Sequence, residues 1–493
     1  MKATELLQEM FPDRSIPNIE IQSVTESSVA ANPHAVFVCI CGAKADGHMY
    51  AADAYRRGCR VFVAQKPLDL SADASVLICP DTRVALARLA CSIYGNPSRR
   101  MRLIGVTGTK GKTTTAHLIA QLLNRAGIPC GYIGTNGMTY GNTHLPAQNT
   151  TPDAVTLQKT LCDMQNTGVH TAVIEVSSQA LLQHRVDGTA FDTVVFTNLF
   201  PDHIGPNEHP SFENYRACKH RLFTDFQAKH VAYNADDTAA SDMLQGTCAT
   251  HLVSCSACKT ADYTASDITP FRNEKQLGVS FTLQSREALQ SCMLPLTGNM
   301  NVYNALLAVA TVREVFGMDL IQAVQALSVV TVSGRSELIS LPNGACSVID
   351  YAHNGESLAK LLTTLREYMP NRLIVLFGSI GERAQMRRRE LGSVAASLSD
   401  LAILTSDNPA NEPPEAIIAD IAQAFEFSKT PYLSIPDRAE AIRHAVRICR
   451  SGDILVLAGK GHENYQLVGN KKIPFSERAI IAEAVKEIIQ VSS

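Results

Sequence analysis

The chain lacks a long hydrophobic run. Nowhere in its 493 residues does an apolar stretch reach the roughly 18 that a membrane-spanning helix needs, so no membrane partner is expected. It also lacks a dominant charge. With 44 Lys+Arg against 47 Asp+Glu, the formal net charge is −3, which argues against a dedicated nucleic-acid binder. The first residues, Met1-Lys2-Ala3-Thr4-Glu5-Leu6, carry no signal-peptide hydrophobic stretch. No internal repeat or low-complexity tract is visible. Cysteine is not scarce, but its 14 copies are scattered, many inside apolar segments. That pattern suits free thiols in a reducing compartment, and a cytoplasmic location is expected. Cys39-Ile40-Cys41 and Cys255-Ser256-Ala257-Cys258 resemble metal half-sites, yet no second half-site follows, and zinc is not expected. Hydrophobic residues make up 45%, enough for a large core rather than disorder.

The length suits roughly three domains. Residues 1–98 form the first. Val36-Phe37-Val38-Cys39-Ile40 and Val61-Phe62-Val63-Ala64 read as strands, and a helix around Met49 to Arg57 ends at Gly58. A second helix, Thr82 to Tyr94, stops at the breaker cluster Gly95-Asn96-Pro97-Ser98. Residues 99–332 form the second. Ala172-Val173-Ile174-Glu175-Val176 and Thr193-Val194-Val195-Phe196-Thr197 are apolar runs typical of a parallel sheet covered on both faces. Residues 333–493 form the third, where runs beginning at Ser347, Leu373, Leu401 and Asp453 alternate with helical stretches. The expected fold class is α/β, with a central parallel-sheet P-loop domain between an N-terminal α/β domain and a C-terminal Rossmann-like domain.

The whole is organised around Thr107-Gly108-Thr109-Lys110-Gly111-Lys112-Thr113-Thr114-Thr115, between an apolar strand and a helical pattern. Gly108 and Gly111 let the backbone turn several N–H groups into one cavity. The helix N-terminus behind them adds partial positive charge and Lys112 a full one, an arrangement suited to a polyphosphate. Thr113 is placed to offer its hydroxyl to Mg²⁺. Val106 stands where the eight-residue form of this motif has its first glycine. Glu175 and His203, each after an apolar run, fall where ligands bind in such sheets. Glu175 alone reads equally as a buried ion-pair partner, and His203 alone reads as structural. Beside a triphosphate they become candidate Mg²⁺ ligands. Lys219 by default is a solvated helix lysine.

The loop is followed in order by Asn149-Thr150-Thr151-Pro152, Glu175-Val176-Ser177-Ser178, Thr197-Asn198-Leu199 with Asp202-His203, and Gly298-Asn299-Met300-Asn301-Val302-Tyr303-Asn304-Ala305. In order and spacing this resembles the Mur ligase family across all three expected domains. Asp407-Asn408-Pro409-Ala410 and Gly459-Lys460-Gly461-His462-Glu463 resemble its MurE-type branch, the UDP-N-acetylmuramoyl-L-alanyl-D-glutamate:diamino-acid ligases of peptidoglycan synthesis. The resemblance implies a monomeric enzyme whose three domains bind the UDP-MurNAc substrate, ATP and the incoming amino acid in turn. Lys112 and Thr113, with Gly108, Thr109, Lys110, Gly111 and Thr114, would hold ATP. Thr113, Glu175 and His203 would be metal ligands, joined by Lys219 as a CO₂-derived carbamate. Lys112, Lys219 and His203 would carry the chemistry. Ser27, Thr150, Thr151, Ser177, Gln183 and Arg185 match positions for UDP-MurNAc-L-Ala-D-Glu. Asn301, Arg335, Asp350 and His353 match nucleotide-side positions. Arg383, Asp407, Asn408, Pro409, Ala410, Gly459 and Glu463 match the pocket for the free diamino acid.

Departures bear on the substrate. Diaminopimelate-adding members have an Arg where Ala410 stands, and that Arg pairs with the distal carboxylate. Without it a second carboxylate would be buried unpartnered. Asp407 and Glu463 are expected to put negative charge near the amine-bearing substrate, and L-lysine is the expected amino acid. Lys110 and the 202–209 loop also resemble lysine-adding members. L-ornithine, one methylene shorter, and meso-diaminopimelate read through Arg387 or Arg388, are the alternatives. Glu26-Ser27-Ser28 stands for the usual Asp-Ser-Arg, Ser177-Ser178-Gln179 for Ser-Ser-His, and Ser476-Glu477-Arg478 for Asp-Arg-Glu. Rival readings are a folylpolyglutamate-type ligase and a non-enzymatic nucleotide switch.

Overall fold

The computed structural model describes residues 1–42, 45–205, 208–273, 276–382 and 385–492, the side chains of 491 and 492 excepted. In it the apolar runs become strands buried on both faces, and turn residues end the helices between them. The chain forms two compact units. One comprises Met1–Thr264, Gln284–Ala288 and Tyr303–Ala323, and the other Ala265–Leu283, Leu289–Val302 and Val324–Ser493.

The first unit opens with a four-stranded parallel sheet in sequence order, Ser23–Thr25, Ala35–Val38, Val61–Ala64 and Ser75–Ile78. The helix Thr82–Ile93 is capped by Asp81, whose carboxylate accepts from the N–H groups of Arg83 and Val84. Its chain reverses through Gly95 and Asn96, both left-handed. The unit's larger sheet runs His251–Ser256, His230–Asn234, Thr193–Phe196, Arg102–Thr107, Thr171–Glu175 and Cys130–Gly134, all parallel. Gly137–Tyr140 and Thr143–Leu145 extend it antiparallel. Arg102–Thr107 is central, so the loop that follows it opens between the ends of Thr193–Phe196 and Thr171–Glu175. That order places Glu175 and Thr197 beside the loop. The segment from Tyr263 to Leu294, which the apolar runs left unassigned, forms the strands Tyr263–Arg272, Leu277–Gln284 and Leu289–Leu294.

The second unit holds a six-stranded sheet in the order Glu337–Ser340, Cys346–Asp350, Ile454–Ala458, Leu373–Phe377, Leu401–Leu404 and Tyr432–Ser434. Only its first pair is antiparallel. One apolar cluster covers each face, built around Val348, Val375 and Leu404 on one side and Ile349, Ile374 and Leu457 on the other. Asp407 and Gly459 follow the strands Leu401–Leu404 and Ile454–Ala458, which flank Leu373–Phe377. Among the described residues no helix is long and apolar enough to cross a membrane.

Cys41 lies with Asp46 and His48, their ligand-type atoms within 4.8 Å of one another. Yet His48 Nε2 accepts the N–H of Gln65 at 3.1 Å, so the ring proton sits on Nδ1 and is donated to Asp46 at 2.6 Å. A metal at Nδ1 would require an imidazolate. With Lys66 at 2.9 Å from Asp46, the group is a hydrogen-bonded turn.

Candidate active site

The loop is held open by its neighbours rather than by itself. Gly108 adopts φ +148°, and a Cβ there would lie 2.0 Å from the Thr197 hydroxyl. Gly111 adopts φ +84°, and a Cβ would lie 2.4 Å from Asn304 Oδ1. Only glycine fits either place. Asn198 reads the loop backbone from the next strand: its Oδ1 accepts the Lys110 N–H at 2.9 Å and its Nδ2 donates to the Lys110 carbonyl at 3.1 Å. Thr197 donates to the same carbonyl at 2.6 Å. The helix Lys112–Arg125 begins at Gly111, which has no side chain to cap it, so its first-turn N–H groups remain available to an anion. Lys112 Nζ donates to the carbonyls of Gly108 at 2.8 Å and Thr109 at 3.0 Å. Lys110 instead pairs with Asp202 at 3.0 Å. Thr114 is buried in the helix's first turn.

Glu175 ends its strand fully buried. Its Oε2 accepts from Thr113 at 2.8 Å and its Oε1 from the Tyr132 hydroxyl at 2.5 Å and the Thr135 N–H at 2.9 Å. A carboxylate beside the loop threonine, with its other oxygen held by protein donors, is a donor set that suits a hard divalent cation. Lys219 is 1% exposed, not a solvated helix lysine. Its Nζ donates to the Gly108 carbonyl at 2.8 Å, the same acceptor that Lys112 uses, and lies 4.7 Å from the Tyr215 ring centre. Burial, and secondarily the Lys112 charge, push its pKa well below the ordinary lysine value. His203 stands in an exposed loop with φ +56°. Its described partners are Glu208 at 3.1 Å and Asp202 at 4.0 Å rather than Glu175.

A set of hydrogen-bonded polar side chains adjoins Glu175. Thr151 donates to the Glu175 carbonyl at 2.6 Å and accepts the N–H of Ser177 at 3.0 Å. Ser177 caps the helix Ser178–Leu182. Arg185 donates to the Thr151 carbonyl at 2.9 Å and to Gln183 at 2.7 Å. Thr150 accepts from Thr135 at 3.1 Å. Glu26 is exposed, with Asp153, Arg83 and Arg185 the charged groups that act on it. Ser27, next to Glu26, is exposed.

In the second unit, Asp407, Asn408 and Glu463 converge, but on a residue the motif reading left out. Lys460, fully buried, donates to Asn408 Oδ1 and Glu463 at 3.0 Å each and lies 3.4 Å from Asp407. Asn408 also donates to Glu463 at 2.9 Å. The two carboxylates expected to put negative charge near the substrate amine thus share the Lys460 ammonium. Gly459, at φ +113°, would put a Cβ 2.8 Å from Asp407. Pro409 presents its carbonyl to Gly381, where a Cβ would lie 2.0 Å away, and Ala410 takes φ +52°. Arg388, one of the two arginines considered for a distal carboxylate, is 2% exposed and bound to Glu412 and Asp420 at 2.6 and 2.8 Å. It holds its own unit together. Arg383 lies outside the described residues. Asp350 accepts from the N–H groups of Ser336 and Ala352, and burial raises its pKa against the nearby Arg335. Arg335 lies over the Tyr351 ring at 5.4 Å, and His353 Nδ1 contacts the Tyr351 carbonyl at 2.8 Å. Asn301 donates to the Thr297 carbonyl at 2.8 Å.

Asn198, Asn304, Tyr132, Thr135 and Lys460 escaped the sequence reading as site residues. Asn198, Asn304 and Lys460 stood inside the quoted motifs. Tyr132 and Thr135 had no signal at all.

Two family models match the chain: the Mur ligase middle domain over residues 106–312 and the Mur ligase glutamate ligase domain over residues 334–461. The UDP-N-acetylmuramoyl-L-alanyl-D-glutamate--2,6-diaminopimelate ligase of Caldanaerobacter subterraneus is 37% identical over 476 residues, 96% of each chain. The enzyme of that name from Listeria innocua is 36% identical over 497 residues, 99% of each. A solved structure of a ligase with the same name aligns with a TM-score of 0.73 at 30% identity, covering 99% of both chains. With that extent of likeness over nearly the whole chain, it belongs to the Mur ligase family, an ATP-dependent ligase of its MurE-type branch.

Proposed function

We propose that the enzyme joins L-lysine to the D-glutamyl γ-carboxylate of UDP-N-acetylmuramoyl-L-alanyl-D-glutamate. A carboxylate is a poor acyl donor at neutral pH. When bound, ATP supplies the phosphoryl group that activates it as an acyl phosphate, and Mg²⁺ neutralises the oxygens in transfer. The residues of the chain do the rest. The loop N–H groups and Lys112 would hold phosphates, and Thr113, Glu175 and His203 would hold the cation. Lys219, desolvated and beside a second lysine, is biased toward the neutral amine, the form that would add CO₂ to give a carbamate and so exchange a cation for an anion. Thr150, Thr151, Ser177, Gln183 and Arg185 hold the peptide end of the UDP-sugar, with Ser27 on its nucleotide side. Asn301, Arg335, Asp350 and His353 serve ATP. Arg383, Asp407, Asn408, Pro409, Gly459 and Glu463 receive the amino acid, whose neutral amine attacks the acyl carbon as phosphate leaves.

The observation that carries lysine is Ala410. Its methyl group offers a distal carboxylate nothing, and Arg388 is committed to Glu412 and Asp420. Diaminopimelate is the second reading, favoured by the names of the relatives. Phosphate release with the UDP-dipeptide and each of lysine, ornithine and diaminopimelate decides between them. Turnover with lysine is expected. Turnover with diaminopimelate alone overturns the specificity, and release with none overturns the ligase reading. Ala410→Arg should raise the diaminopimelate rate by about 10- to 1,000-fold, the worth of one desolvated Arg–carboxylate pair.

A further inference from the structure

The carboxylate of Glu175 is not held symmetrically, and the asymmetry traces to Tyr132. The Tyr132 hydroxyl accepts the Asn136 N–H at 3.3 Å, so its own proton is directed to Glu175 Oε1 at 2.5 Å. Oε1 also accepts the Thr135 N–H at 2.9 Å, which occupies both of its lone pairs. Oε2 accepts from Thr113 at 2.8 Å and shares the Thr135 hydroxyl with Thr150, at 3.2 and 3.1 Å. One hydroxyl proton cannot serve both acceptors, so Oε2 keeps capacity for a cation whenever Thr135 turns to Thr150.

The tyrosine is built in. It is 3% exposed. Its ring stacks on His117 with centroids 3.9 Å apart and planes 26° from parallel. His117 lies on the helix Lys112–Arg125 that begins at the phosphate loop. Gly134 makes room: a Cβ there would fall 2.2 Å from Glu175 Oε1 and 2.4 Å from the Tyr132 hydroxyl oxygen.

Resting on the proposed metal role of Glu175, we infer that Tyr132, braced by His117, is a positioning residue that saturates Oε1 and leaves Oε2 as the single oxygen offered to the divalent cation. The loop helix and the metal carboxylate are thereby aligned through one aromatic stack. A hard cation binds more tightly to a carboxylate whose orientation is fixed by its neighbours.

The test uses Mn²⁺ as the probe, followed by electron paramagnetic resonance on the full-length enzyme with ADP. Metal-free ADP affinity is measured alongside by calorimetry. Tyr132→Phe should weaken Mn²⁺ binding roughly 10- to 100-fold, the range for removing an outer partner of a metal ligand, and leave metal-free ADP affinity unchanged. His117→Leu, which keeps the hydroxyl, should weaken Mn²⁺ in the same direction but less. Unaltered Mn²⁺ affinity in Tyr132→Phe overturns the inference. So does an equal loss of metal-free ADP binding, which would mark a general packing defect. If the unsubstituted enzyme binds ADP but no Mn²⁺ with it, the metal reading of Glu175 itself fails.

Discussion

Arg438 offers the sharpest test of how the segments proposed to receive the amino acid are held. Its guanidinium is fully buried and donates to Glu477 at 2.9 Å, to the Ser406 carbonyl at 3.2 Å and to the Ala458 carbonyl at 2.9 Å. Ser406 and Ala458 immediately precede Asp407 and Gly459, so this one cation ties two strand ends together. Arg438→Met would strand a buried carboxylate and two carbonyls. Breaking a buried pair from one side costs about 3–5 kcal/mol. At roughly 2–4 °C per kcal/mol for a unit of this size, the unfolding midpoint should fall by about 6–20 °C. Glu477 sets the pH dependence. Burial raises its pKa, with Arg438 opposing. The folded state therefore holds this proton more tightly than the unfolded chain. That contribution is complete below the ordinary glutamate value and lost as pH rises through the folded one. Removing Arg438 raises the folded pKa further, so the variant's deficit should grow from pH 5 to pH 8. Arg438→Met with Glu477→Leu should recover most of the loss, because no charge is left unpaired. Scanning calorimetry across pH reads all three, and kinetics should show a raised KM for the amino acid with nucleotide affinity retained. A single variant within about 1 kcal/mol of the parent, or a deficit that shrinks toward pH 8, refutes the reasoning.

Other expectations concern the loop. Lys219→Arg keeps a permanent cation that cannot add CO₂, so ligation should fall at least about 1,000-fold while ADP still binds. In the unsubstituted enzyme, ¹³CO₂ should give a carbamate resonance that Lys219→Arg abolishes. Asn198→Ala removes both side-chain bonds to Lys110 and should weaken ATP roughly tenfold, measured by equilibrium binding, with little change in the unfolding midpoint. Gly111→Ala forces a methyl onto Asn304 Oδ1 at a left-handed φ. It should cost about 1–3 kcal/mol and lower ATP affinity, read from calorimetry and binding together.

The loop was legible because its geometry is local. Two glycines, two lysines and five threonines between a strand and a helix restrict the backbone within nine residues, and the helix Lys112–Arg125 and the strand Arg102–Thr107 stand where that pattern places them. Lys219 was legible only through resemblance. On a helix of mixed polarity nothing in its neighbours marks it as buried, and burial is what alters its chemistry. The strands Tyr263–Arg272, Leu277–Gln284 and Leu289–Leu294 were missed because their polar and apolar residues alternate, without the continuous runs that mark fully buried strands. Lys460, the ammonium that joins Asp407 and Glu463, was not singled out because it stands inside the glycine-flanked segment Gly459-Lys460-Gly461.

By itself, then, the order of residues determined the strand–loop–helix, the apolar strands and the positions of their polar ends, since turn chemistry and hydrophobic continuity act over a few neighbours. Only the tertiary structure decided the partners. Lys219 meets Gly108 across 111 residues, Thr115 meets Asn304 across 189, and Tyr132 meets Glu175 across 43. Those distances close through sheet order and packing, which set the burial and the hydrogen-bond partners of each side chain where residue type does not.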